Sequence, residues 1–131
     1  MVDRGRLSPG VVFVGRYRIP DGTADEWRAA VRELTAFVEE NLPDVLAFGA
    51  YLSEDETQGT SIHLHRDAAT FEAYLAAAAA RIGRGSRIVE VLRIDLYGDP
   101  SPEVVGRLRR MGSWPVEVHR HVDGLGSLRP T

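Results

Sequence analysis

Apolar and polar positions change period several times along the chain, and each change marks an element. Residues 11–19 read Val, Val, Phe, Val, Gly, Arg, Tyr, Arg, Ile and are closed by Pro20, Asp21 and Gly22. A run rich in β-branched and aromatic residues with such an ending predicts a first strand. Trp27, Val31, Leu34 and Val38 then recur at helical intervals as far as Pro43, and Thr23 stands three residues before Glu26, the spacing of a capping box. An amphipathic helix is predicted there. A second apolar run, 45–53, is followed by the polar stretch 54–59 and by 60–66, in which Ile62 and Leu64 alternate with Ser61, His63 and His65. The two runs predict a β-hairpin. Asp67 is placed to cap a second helix with Phe71, Tyr74, Leu75 and Ala78 as its buried stripe, ending near Gly83 and Gly85. Residues 87–97 predict a long strand with Ile88, Leu92, Ile94 and Leu96 on one face.

This order, β-α-β-β-α-β, folds under the right-handed crossover rule into an α+β, ferredoxin-like domain: a four-stranded antiparallel sheet with both helices on one face. On the uncovered face the alternation places Phe13, Tyr17, Val89 and Val91 beside Arg87, Arg93 and Asp95. Those apolar side chains need a cover, and a second sheet supplies it, so the expected assembly is a homodimeric α/β barrel around a partly polar cavity. The core spans about residues 11–98 of one domain, 1–131. A C-terminal extension, about 99–131, follows. Ser101-Pro102-Glu103 starts a third helix carrying Val104, Val105, Leu108 and Met111 and stopped at Gly112. Residues 114–122 predict a further strand, and 123–126 a turn.

Composition narrows the chemistry. The chain has no cysteine, and all sixteen of its basic residues are arginine. That excludes a thiolate nucleophile, a disulfide framework and a thiolate zinc site, and equally a lysine Schiff base or a Walker-type phosphate lysine. Net charge is −3 with both signs interspersed, so no basic stripe for nucleic acid exists. Gly83-Arg84-Gly85 and Gly124-Leu125-Gly126 lack the third glycine of a dinucleotide fingerprint, and no serine sits in a nucleophile elbow. No cofactor is expected. The charged N-terminus is not followed by a signal-type apolar run, and no stretch nears the roughly 20 apolar residues that cross a bilayer. The expected location is cytoplasmic, without a membrane partner.

The strand running straight into a capped helix over residues 61–75, with His63, His65, Asp67, Phe71 and Tyr74, resembles the strand-to-helix passage of the dimeric α/β-barrel superfamily. In particular, residues 11–98 resemble the antibiotic biosynthesis monooxygenase domains. The resemblance implies a cofactor-independent oxygenase acting on a phenolic or quinol-type substrate, or a relative that only binds small aromatic molecules. The haem-degrading branch of the superfamily relies on an asparagine on the first strand, a tryptophan on the second helix and a histidine just after it. Here Arg16 or Tyr17 and Tyr74 stand in the comparable places, and no histidine lies between Ala76 and Arg87, which counts against haem chemistry.

All four histidines fall in two His-x-His pairs, His63 with His65 and His119 with His121. In a strand each pair puts two imidazoles on one face. Imidazole titrates near neutrality, so His63 and His65 are the candidate catalytic bases; the same pair also admits a structural role lining a polar cavity, or metal ligation, for which no third ligand is identifiable. His119 and His121 read as polar protection of an edge strand. Tyr17, Tyr51 and Arg93 are the candidate substrate-binding groups: a phenol can orient a substrate hydroxyl, and Arg93 with Asp95 supplies either a structural pair across the dimer or an anion-binding handle. Trp27, Phe71 and Tyr74 are read as core.

Overall fold

The computed structural model describes residues 10–124. Its elements are β1 (Val11–Arg18), α1 (Ala24–Asn41), β2 (Val45–Leu52), β3 (Gln58–His65), α2 (Ala68–Ala77), α3 (Ala79–Ser86), β4 (Glu90–Gly98), α4 (Pro102–Arg110) and β5 (Val116–His119). Ser8, Pro9, Leu125 and Gly126, which belong to the expected lead and final turn, lie outside the described residues. The fold is α+β and ferredoxin-like, with the sheet order β2-β3-β1-β4-β5.

The sheet has five strands, the four of the expected core and β5, which falls within the 114–122 segment expected as a further strand. β1 to β4 are antiparallel to their neighbours, whereas β5 pairs parallel to β4. A parallel partner needs a crossover, and α4 provides it. The helix starts as its sequence suggests: Pro102 occupies the first turn and the Ser101 hydroxyl accepts from the Val104 amide at 3.2 Å. Asp67 caps α2 in the same manner, accepting from the Thr70 amide at 2.8 Å. Thr23 does not cap α1; its hydroxyl donates instead to the Pro20 carbonyl at 2.7 Å, inside the preceding turn. The single second helix expected to reach Gly83 breaks at the buried Ala78, after which α3 lies against α1.

The helices cover one face, and the core is a single cluster containing Val11, Phe13, Phe71, Tyr74, Leu96 and Leu108. Strand register corrects the assignment of faces. Phe13 pairs with His63 and Leu96, and Gly15 with Ser61 and Ile94, all towards the helices. A bulge opposite Arg16 and Tyr17 shifts β4, so Tyr17 pairs with Val91. One extra residue reverses the alternation beyond it. Val89 and Val91 therefore face the helices and Leu92 is 41% exposed; Phe13 and Tyr17 also face the helices and not a partner, by the unbroken alternation of β1. Arg93 and Asp95 do lie on the open face, together with Val12, Val14, Ile62, Leu64 and Tyr51. Among the described residues no helix is long and apolar enough to cross a membrane.

Candidate functional site

Between the sheet and the helices lies a cavity of about 190 Å³. Every layer contributes: Phe13 and Tyr17 from β1, Phe48 from β2, Ser61 and His63 from β3, and Trp27, Leu34 and Tyr74 from α1 and α2. It is also lined by Ile82 of α3, by Leu108 of α4, and by Met111 and Trp114 beyond it. Aromatic and aliphatic walls with a few polar groups are the usual make-up of a small-molecule site.

His63 is the polar centre. Its ring is sandwiched between those of Phe13 and Phe48, with centroids 4.7 and 4.6 Å away, and meets Tyr74 edge-on at 4.9 Å. Nδ1 is buried without a hydrogen-bond partner, leaving Nε2 as the ring nitrogen open to the cavity. Burial, with a smaller contribution from neighbouring His65, holds the pKa down to about 3. The expected base poised near neutrality is thus an imidazole kept neutral throughout the physiological range, because its charged form finds no solvation among phenyl rings.

His65, two residues along on the same face, is in a different setting. It is 1% exposed, packs on Phe71 and Tyr74 at 4.9 and 5.2 Å, and does not line the cavity. Both its ring nitrogens are buried without partners, and burial lowers its pKa to about 4. It is a core histidine, so the structure separates the pair that sequence alternation brings together.

Tyr17 does line the cavity, and its hydroxyl shares a 2.6 Å hydrogen bond with the Ser61 hydroxyl. Burial pushes its pKa up, the bond to Ser61 offsetting part of the shift; burial likewise raises that of Tyr74. Both phenols stay protonated and can donate. Tyr17 reaches Ser61 by folding back along its own strand over Gly15, where any Cβ would collide with the phenol. Gly15→Ala is therefore expected to expel the ring, break the bond to Ser61 and lower stability by about 1–3 kcal/mol, measured by chemical denaturation against Tyr17→Phe. Equal stability of Gly15→Ala and wild type would contradict this placement.

Tyr51 and Arg93 are not at the cavity. Tyr51 is 59% exposed on edge strand β2 and borders a separate shallow groove. Arg93 is on the opposite sheet face, where its guanidinium makes two bonds to Asp95 at 2.7 and 2.8 Å and reaches Glu117 at 3.3 Å. His119 adds a 2.9 Å bond to Asp95 and stacks on Tyr97. Asp95 is 4% exposed, and the hydrogen bonds from Arg93, with help from His119, hold its pKa down to about 2. Asp95, Glu117 and His119 are the described residues whose ligand atoms converge, lying within 4.8 Å of one another. Arg93 already supplies the cation between the two carboxylates. Arg93 and Asp95 pair within one chain, where a pair across the dimer was the expectation, and His119 joins them.

Reasoning from sequence missed Phe48, which forms half of the sandwich around His63, and Trp114. Phe48 could have been found from hairpin register, since it stands directly opposite His63; Trp114 carried no local signal.

No family model matches the sequence, and no curated protein does either. Solved structures do match. MupZ from Pseudomonas fluorescens is 17% identical over 86% of this chain and 90% of its own, with a TM-score of 0.72. SnoaB from Streptomyces nogalater, a cofactor-independent oxygenase, is 16% identical over 72% of this chain and 96% of its own, at 0.60. The α+β, ferredoxin-like fold is shared with these solved structures. A candidate antibiotic biosynthesis monooxygenase from Caulobacter crescentus CB15 has the same fold, at 14% identity over 76% of this chain and 94% of its own, with a TM-score of 0.60.

Proposed function

We propose that this protein is a cofactor-independent monooxygenase acting on a phenolic or quinol-type substrate held in the cavity, with His63 taking the hydroxyl proton. The observation that carries this reading is a neutral imidazole with one nitrogen open to an apolar, aromatic-walled cavity. A bound phenol supplies the proton that His63 lacks. Transfer yields a phenolate beside an imidazolium, and their attraction in a medium of low dielectric offsets part of the desolvation that makes His63 a weak base when the cavity holds no anion. The electron-rich anion then reacts with oxygen. One oxygen atom replaces the ring hydrogen para to the hydroxyl, the other leaves as water, and the phenol is oxidised to the quinone. Tyr17 and Tyr74, both protonated, are placed to orient the substrate oxygen. The fold shared with SnoaB supports the reading.

The test is α-naphthol with an oxygen electrode and chromatography. The expected outcome is one oxygen consumed for each para-quinone formed. The low basicity of His63 favours a second reading, a non-catalytic small-molecule binding domain. Thermal stabilisation by naphthols and quinols with no oxygen uptake would decide for it.

We also propose that the open sheet face pairs with a second copy of the chain, closing the barrel. Arg93 and Asp95 on it are already paired within the chain, Arg16 is exposed on it, and between these charges it presents the half-buried strip Val12, Val14, Ile62 and Leu64. A self-complementary apolar strip suits a two-fold interface. Light scattering at micromolar concentration is expected to give twice the chain mass, and Ile62→Asp to halve it. A monomeric wild type would refute the pairing.

A further inference from the structure

We infer that Ser61 is a further residue of the site, its hydroxyl donating a hydrogen bond to the same ligand oxygen from which His63 takes a proton, with Tyr17 as a positioning residue behind it. This rests on the reading of the cavity as the site of a phenol. Ser61 and His63 stand two residues apart on β3, are both buried, and both line the cavity. The strand repeat sets such neighbours about 6–7 Å apart on one face. An oxygen seated between the two side chains is then about 3 Å from each, a hydrogen-bond distance.

The Tyr17 and Ser61 hydroxyls carry one proton each and share a single hydrogen bond of 2.6 Å. Neither makes another among the described residues. One O–H is therefore left over in an apolar wall, where a donor without an acceptor is unfavourable. A phenol is the stronger acid of the two and the weaker acceptor, so Tyr17 donates and Ser61 keeps the spare proton. A hydroxyl that accepts one bond is polarised into a better donor for the next. The chain that results runs from Tyr17 through Ser61 to the ligand oxygen. Strand register assembles it: Gly15 stands opposite Ser61, one rung from the pair Phe13 and His63. With no Cβ at Gly15, the Tyr17 ring folds back over that rung and its oxygen comes to Ser61. When His63 acts, the ligand O–H bond breaks, its electron pair stays on oxygen and an N–H bond forms on the imidazole. The Ser61 O–H stays intact and strengthens its hydrogen bond to the new anion, stabilising the charged state more than the neutral one.

The experiment is a spectrophotometric pH titration of bound 4-nitrophenol, whose phenolate absorbs visible light, on wild type, Ser61→Ala, Ser61→Thr and Tyr17→Phe at saturating protein. The other titratable or charged groups of the cavity wall, His63, Tyr74 and Arg81, are the same in all four, so differences in the apparent pKa of the probe report the two hydroxyls. Ser61→Ala is expected to raise that pKa by about one unit, the tenfold effect of one hydrogen bond to an anion. Ser61→Thr restores the wild-type value, and Tyr17→Phe raises it by less, because Ser61 still donates but is no longer polarised. A serine with only a structural role would change the melting temperature and leave the pKa of the probe alone. An unchanged pKa in Ser61→Ala, or an equal rise in Ser61→Thr, would overturn the inference. Failure of wild type to bind the probe would overturn it as well. The shift in Ser61→Ala without any oxidation of α-naphthol by wild type would support Ser61 as a ligand contact and count against the oxygenase reading alone. If Ser61→Ala does not fold, Ser61→Val against Ser61→Thr makes the same comparison between side chains of one shape.

Discussion

His63→Phe lowers the turnover of α-naphthol by about 10²–10⁴, the usual contribution of a positioned general base, whereas His65→Leu leaves the rate within a factor of a few. The two histidines share a strand face and differ only in what surrounds them, so they control for each other. Phenylalanine preserves the stack between Phe13 and Phe48 and removes the nitrogens, which keeps the fold and the cavity shape while deleting the proton acceptor. His65→Leu removes two buried ring nitrogens that have no partner, so it is expected to be neutral or stabilising by about 1–2 kcal/mol. Steady-state oxygen uptake, with thermal melts as a folding control, checks both halves. Retained turnover in His63→Phe would remove His63 from the chemistry.

Acid provides the second large effect. His63 and His65 are held at about 3 and about 4 in the folded protein against an ordinary value of 6.5. Between roughly pH 6.5 and 4 the unfolded chain binds protons that the folded chain refuses, so stability is complete above about 6.5 and falls as the pH drops through this window. At pH 5 each histidine is 1.5 pH units below its unfolded pKa, about 2 kcal/mol, and the two together remove about 4 kcal/mol, a large part of the 5–15 kcal/mol typical of a domain. Asp95, held at about 2 chiefly by Arg93, acts in the same direction but lower, losing its contribution as the pH falls from about 4 towards 2. Denaturant midpoints at pH 7 and 5 measure the effect, and His65→Leu should roughly halve it. Equal midpoints for wild type at the two pH values would contradict the neutral, buried state of both rings.

The order of elements from β1 to β4 was legible in the sequence because each depends on local periodicity. Alternation around Ile62 and Leu64, the helical recurrence from Trp27 to Val38, and the Asp67 and Ser101 caps are interactions within a few residues. The break at Ala78 was not legible, since an alanine run suits a continuous helix and only the packing of α3 on α1 turns it. The same holds for the bulge opposite Arg16 and Tyr17. A bulge is a mismatch between two strands and is not written in either one, yet it moved Val89 and Val91 from the expected partner face to the helix face.

For the site, sequence alone determined that two histidines share one face of a strand entering a capped helix, and that no cysteine or lysine chemistry is available. Which histidine meets open space was decided by the tertiary structure. The side chains that settle it, Phe48 on β2 and Phe71 on α2, together with Trp114 after α4, come from elements distant along the chain. Periodicity assigns a residue to a face. Whether that face is filled or hollow at a given residue depends on the volumes that converge there from several elements, and only the folded packing brings those volumes together.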